Sequence, residues 1–172
     1  MAKKIGIFVG SSGGVTMGAG QLLQEELGGE LVSMEDDFDS IEQFEEYDVL
    51  LIGSSTWGQG DPQRDWVDPL YDLKNDEPDL SGKKVAFFGA GDQKTHGEHF
   101  VSALGKMRDI FGALGADVQY GKWPVDGYEF KESLALEGEN FCGLAIDDIN
   151  QAQLTASRVQ AWAEQLKNEM KL

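Results

Sequence analysis

Residues 10–16 run Gly10-Ser11-Ser12-Gly13-Gly14-Val15-Thr16, so three hydroxyls and three glycines share seven positions. A short apolar run precedes them and a helical pattern follows. Strand, small-residue loop and helix together make an anion cradle. Backbone N–H groups can approach a phosphate closely, and the helix start adds free N–H groups and the positive end of its dipole. The loop holds no Lys or Arg, so hydrogen bonds must hold the anion. It lacks the Gly-Lys-Ser/Thr end of a Walker loop and the glycine offsets of a dinucleotide fingerprint. It does match the nucleophile elbow of serine hydrolases, with Ser12 as nucleophile. That chemistry needs a general base; the candidates are His96 and His99, with Asp92 the nearest acid, and no C-terminal His exists. A strand-to-helix turn without a ligand is the plain alternative.

The elements that must position this loop follow from apolar patterning. Residues 4–9, 48–53 and 84–88 are short runs apolar on both faces, as buried parallel strands are. Residues 30–34 make a short strand, and the acidic stretch 35–46 a solvated connection with one helical turn. Helices are expected over residues 16–27, stopped by Gly28-Gly29, and over 66–73, with Pro69 in the first turn. A third takes its stripe from Phe100, Leu104, Met107, Phe111 and Leu114 and stops at Gly115. A fourth covers residues 155–170 and buries Val159, Trp162, Leu166 and Met170, with Thr155 or Asn150 as its cap. Residues 117–120 begin a fifth strand, 122–141 read as an insertion, and 143–146 resume the strand. Alternation of strand and helix implies an α/β fold, a doubly wound parallel sheet with helices on both faces. Ligands in such sheets sit beyond the carboxyl ends of the strands. The loops after the first, third and fourth strands leave that edge, and they are rich in Gly, hydroxyls and aromatics.

The chain has 172 residues, enough for one domain with a real core. Its net charge is −17, from 14 basic and 31 acidic residues. Nucleic acid and anionic membranes would be repelled by that surface, whereas basic partners would be attracted. No apolar run approaches the roughly 20 residues that span a bilayer. The first residues enter a strand pattern at once, without a signal-peptide core. Cys142 is the only cysteine, which excludes an internal disulfide and a cysteine-ligated iron–sulfur cluster. A cytoplasmic monomer is expected.

Several stretches resemble the flavodoxins of the long-chain type. They are Thr56-Trp57 with Gly60 and Asp65-Trp66, then Phe88-Gly89-Ala90-Gly91-Asp92-Gln93, then Trp123-Pro124 and Gly127-Tyr128, and finally Phe141-Cys142-Gly143-Leu144-Ala145-Ile146-Asp147. The resemblance covers essentially the whole chain, residues 1–172. It implies a five-stranded sheet of order 2-1-3-4-5, the fifth strand interrupted by the insertion at about 122–141. It also implies bound FMN. Ser11, Ser12, Gly13, Gly14, Val15 and Thr16 correspond to the loop around the FMN phosphate. Trp57 corresponds to the aromatic over one flavin face, with Thr56, Gly58 and Gly60 in the same loop. Asp92, with Ala90 and Gly91, corresponds to the group at the pyrimidine edge.

The departures from the family pattern are specific. The phosphate loop of the family usually reads Thr-x-Thr-Gly-x-Thr; here Gly13 replaces a hydroxyl, a loss of roughly 1–2 kcal/mol of binding. Thr95 and His96 stand where the family places Gly and the Tyr that stacks on the outer flavin face. An imidazole stacks with less area and titrates near neutral pH. The expected result is a reduction potential that depends on pH through His96, with a flatter profile in His96→Phe; an unchanged profile in that variant refutes the idea. Ile149 replaces an acidic residue near the ring edge. Gly58 tolerates the positive φ that a carbonyl flip toward the flavin requires, which predicts a well-populated neutral semiquinone.

The resemblance implies a low-potential one-electron carrier. Asp61, Asp65, Asp68, Asp92 and Glu98 lie in or near the flavin loops, and their field disfavours a second electron. The same acids would steer docking onto basic-surfaced redox proteins, such as a flavodoxin/ferredoxin reductase, and onto low-potential acceptors. The alternative is an FMN-dependent NAD(P)H oxidoreductase on the same fold, for which no basic cluster to hold a cofactor phosphate is evident. A flavin-binding regulatory module is a third reading.

Overall fold

The computed structural model describes residues 3–172. Five parallel strands form the central sheet: β1 (Ile5–Gly10), β2 (Glu30–Ser33), β3 (Val49–Ser54), β4 (Lys84–Ala90) and β5 (Leu144–Ile146). Their order is β2-β1-β3-β4-β5. The expected 2-1-3-4-5 order is therefore the observed one, and every pairing is parallel.

All strands but the edge strand β2 are apolar on both faces because both are covered. Phe8, Leu50, Ile52, Val85, Phe87 and Ala145 point to one side, where α2 (Val67–Asp76) and α3 (Ser102–Ala113) pack. The alternate residues Ile7, Val9, Leu51, Ala86, Phe88 and Ile146 point to the other side, under α1 (Val15–Leu27) and α4 (Ala152–Met170). The period of two along each strand thus splits the core into two layers. The acidic connection contributes one 3₁₀ turn, Ile41–Glu46, whose buried Phe44 stacks on Trp66 at 6.1 Å. Cys142 is buried in the first layer, where burial pushes its thiol up to about 12, and it serves as packing.

Several bounds differ from the sequence expectation. α2 starts at Val67 after a 3₁₀ turn, Arg64–Trp66. α3 starts at Ser102, not Phe100, because Val101 adopts a left-handed conformation with φ 45. Phe100 then turns away to meet Tyr128, Phe130 and Phe141 of the insertion. α4 begins at Ala152, and neither expected cap caps it. Asn150 donates instead to Asp92 and Asp147, and Thr155 to Asp148.

The first half of the fifth strand shrinks to a parallel bridge between Asp117 and Lys84. The insertion folds as a small antiparallel sheet in which Asn140–Phe141 lies between Trp123–Pro124 and Leu136–Glu137. Tyr128 Oη donates to the Ala145 carbonyl at 2.6 Å and accepts from Trp123 Nε1 at 3.0 Å, which fastens the insertion to β5. At Gly105 a Cβ would lie 2.1 Å from the Leu134 carbonyl, so the insertion rests directly on the α3 backbone.

Candidate functional site

Three loops leave the carboxyl edge of the sheet side by side, after β1, β3 and β4, and the segment after β5 joins them. The cleft between them has a volume of about 290 Å³. That is near the lower end of the roughly 300–1,000 Å³ usual for small-molecule sites.

The loop after β1 ends at Gly14, which has φ 89 and caps α1 without any side-chain hydrogen bond. Only glycine takes that conformation without strain. The Gly14 N–H donates to Ser11 Oγ at 3.1 Å, which leaves the Ser11 O–H as a donor. Gly18 N–H is the first to bond along the helix, to the Gly14 carbonyl. The N–H groups of Val15, Thr16 and Met17 therefore have no intrahelical acceptor. No acidic residue stands in the first turn of α1. Ser11, Gly13, Val15 and Thr16 line the cleft, and Ser12 and Gly14 are exposed beside it in the same loop. Thr16 is buried, and its hydroxyl accepts from the Ala90 N–H at 3.3 Å, so it ties this loop to the end of β4 while its own hydrogen stays free.

The loop after β3 is a tight hairpin. Thr56–Trp57 pairs with Asp61–Pro62 around a three-residue turn. Gly58 and Gly60 have φ 53 and 88, the values that let so short a turn close. The hairpin is clamped on α3. The Ala103 N–H donates to Thr56 Oγ1, and Lys106 pairs with Asp61 at 2.9 Å. A Cβ on Gly60 would lie 2.8 Å from Ser102 Cβ, so Gly60 seats the hairpin and does not reach the cleft. Thr56, Trp57 and Gly58 do line it. Trp57 is 52% exposed, with its indole N–H held by Ser55 Oγ at 2.7 Å. Half of a large apolar ring, fixed at one end and open to the cleft, is a surface suited to stacking a flat ligand.

The end of β4 supplies Ala90 and the loop after it Gly91, Asp92 and His96, all of which line the cleft. Burial pushes the Asp92 carboxyl up. The Thr95 and Lys94 N–H groups and the Asn150 amide outweigh that effect and hold it below the usual carboxylate range. Behind Asp92 lies Asp147, 0% exposed. Its Oδ2 accepts from Gln93 N at 3.0 Å, Gln93 Nε2 at 2.8 Å and Asn150 Nδ2 at 2.8 Å. Its Oδ1 accepts from the N–H groups of Ile149 and Asn150. Gln93 Oε1 in turn accepts from the Glu129 N–H, so the insertion reaches the same knot.

Two lining residues, Ser55 and Asp148, carried no role in the sequence reading; His99 entered it only as a candidate general base and Ile149 only as a departure near the ring edge. His99 was legible as a second imidazole three positions after His96, on the far end of a 3₁₀ turn, Gly97–His99. Ile149 is 74% exposed at the rim, a greasy edge where an acid was the family expectation. No Lys or Arg lines the cleft. The elbow chemistry finds no support, because Ser12 Oγ accepts from Gln63 Nε2 at 3.0 Å and is not paired with an imidazole.

Comparison with known proteins gives a consistent result. The flavodoxin family profile matches residues 7–162. Flavodoxin 1 of Azotobacter vinelandii is 48% identical over 169 residues, covering 96% of this chain and 97% of that protein. Flavodoxin 1 of Escherichia coli is 43% identical over 169 residues, covering 97% and 94%. Among solved structures, the Fusobacterium nucleatum flavodoxin bound to flavin mononucleotide superposes with a TM-score of 0.89 at 28% identity, covering 98% of this chain and 99% of that one.

Proposed function

The chain belongs to the flavodoxin family of electron-transfer proteins, and from that premise we propose that it carries single electrons at low potential on FMN held in the cleft. The residues present fit that group. An uncapped, acid-free helix start with free N–H groups suits the phosphate, and the half-exposed face of Trp57 suits the ring. The observation that carries the reading is that both features open into one cleft. FMN supplies the redox chemistry. Ser11, Ser12, Thr16 and the N–H groups around Gly13 and Gly14 bind the phosphate. Trp57 covers one ring face and His96 the other, with Thr56 and Gly58 beside the Trp57 face. Asp92, Ala90 and Gly91 meet the pyrimidine edge. Asp92 and Asp148 set a negative field at the ring, where no Lys or Arg lines the cleft to offset it.

Partners follow from charge. A −17 chain with acids around the mouth of the cleft suits basic-surfaced redox proteins, among them a flavodoxin/ferredoxin reductase and low-potential acceptors. Reduction with such a reductase should slow steeply as salt rises.

Stepwise reduction of the FMN-loaded protein, followed by visible absorbance, tests the proposal. Two separate one-electron steps, the second at low potential, are expected. Direct two-electron reduction by NAD(P)H without a reductase would replace this reading with an oxidoreductase.

A second test concerns the missing hydroxyl. A Cβ at Gly13 meets nothing within 4 Å, and its backbone needs no positive φ. Gly13→Thr should therefore fit and regain roughly 1–2 kcal/mol of phosphate binding, about 5- to 30-fold in FMN affinity. Riboflavin, which has no phosphate, should bind equally to both proteins, as fluorescence titration would show.

A further inference from the structure

We propose that Gln63 is a positioning residue that ties the anion-binding loop to the Trp57 hairpin and fixes the Ser12 hydroxyl as a donor. The inference rests on the FMN reading above. Gln63 is 1% exposed and lies between the two loops. Its backbone N–H donates to Ser54 Oγ at 2.9 Å, and Ser54 Oγ donates to the Ser55 carbonyl at 2.8 Å. Ser55 Oγ holds the Trp57 indole. Its side chain reaches the other way, where Nε2 donates to Ser12 Oγ at 3.0 Å. One residue thus holds the ring-covering loop by its backbone and the anion loop by its amide.

The amide cannot be turned round. Asp65 presents an N–H to Oε1 at 2.9 Å and a carboxylate oxygen to Nε2 at 2.8 Å. A flipped amide would set oxygen against carboxylate and N–H against N–H. The end facing Ser12 is therefore always a donor. It occupies a lone pair of the Ser12 hydroxyl and leaves the O–H hydrogen for an acceptor. That polarity favours an anion, since a hydroxyl that donated to Gln63 would face it with lone pairs. Room for the amide comes from Gly10, where a Cβ would lie 2.5 Å from Gln63 Oε1.

The test uses apoprotein of the native chain, Gln63→Met, Ser12→Ala and the double variant, each titrated separately with FMN and with riboflavin. Gln63→Met keeps the backbone bond to Ser54 and removes only the amide. It should lose roughly tenfold in FMN affinity, with a much smaller change for riboflavin. Ser12→Ala should show the same phosphate-selective loss, and the double variant should match Gln63→Met within about twofold, because the two residues act through one contact. Equal losses for FMN and riboflavin in Gln63→Met, or multiplying losses in the double variant, would overturn the inference. Should Gln63→Met fail to fold, an unchanged FMN-to-riboflavin ratio in Ser12→Ala, a change at an exposed residue, overturns it alone. Native apoprotein that does not bind FMN would instead refute the site reading itself.

Discussion

Asp147→Ala should destabilise the apoprotein by about 3–5 kcal/mol, since it orphans buried donors worth roughly 1–3 kcal/mol each. The five N–H groups that converge on this carboxylate come from Gln93, Ile149 and Asn150, and no solvent reaches the group in the native fold. For a chain of this size the midpoint of thermal unfolding should fall by roughly 2–4 °C per kcal/mol, or about 6–20 °C in all. Urea unfolding should show a lower midpoint with an unchanged slope. The same change should weaken FMN binding, because Asn150 holds Asp92 with the same amide nitrogen that donates to Asp147. Asp147→Asn should lie between, since it keeps the volume and one acceptor but turns an NH₂ toward N–H donors. A loss under about 1 kcal/mol in the alanine variant would mean that the donors find other partners.

Gly89→Ala is expected to be similarly damaging for a steric reason. A Cβ there would sit 1.8 Å from the Ser54 carbonyl oxygen and 2.9 Å from its carbon. Both are backbone atoms, so β3 and β4 must separate at the edge that carries the cleft. Overpacking usually costs about 1–3 kcal/mol, and a clash with backbone belongs at or above the top of that range. Ser54 also anchors Gln63, so the shift would reach both loops. Urea titration of Gly89→Ala beside Gly13→Ala makes the comparison internal. The second substitution adds the same methyl in open space and should change stability by less than about 0.5 kcal/mol. Equal midpoints for the two would show that the strands accommodate the methyl.

The sheet was legible because its inner strands β1, β3 and β4 are buried on both faces and so read as short apolar runs. α1 and α4 were legible from their stripes. The start of α3 was not, because Val101 takes a left-handed conformation that nothing in its side chain favours, next to Phe100 in its aromatic cluster. Two-residue strands such as Thr56–Trp57 are too short to show a period. The cleft-lining loops were legible as composition, small residues and hydroxyls at the carboxyl edge. Their stitching was not. Gln63 meets Ser12 across 51 positions, and Asp147 meets Gln93 across 54, and no local pattern announces such a pair.

The knot behind Asp92 also orders events during synthesis. Asn150 follows Asp92 by 58 residues. At about 5–20 residues per second, a ribosome takes roughly 3–12 s to make the difference. Through that interval the nascent chain has its anion loop, its Trp57 hairpin and its Asp92 turn, but no buried carboxylate to hold the turn and no edge strand beside β4. The insertion, made in between, has no β5 to be fastened to. Cofactor capture therefore follows the synthesis of Asn150, and a stalled nascent chain ending before Asp147 should not retain flavin.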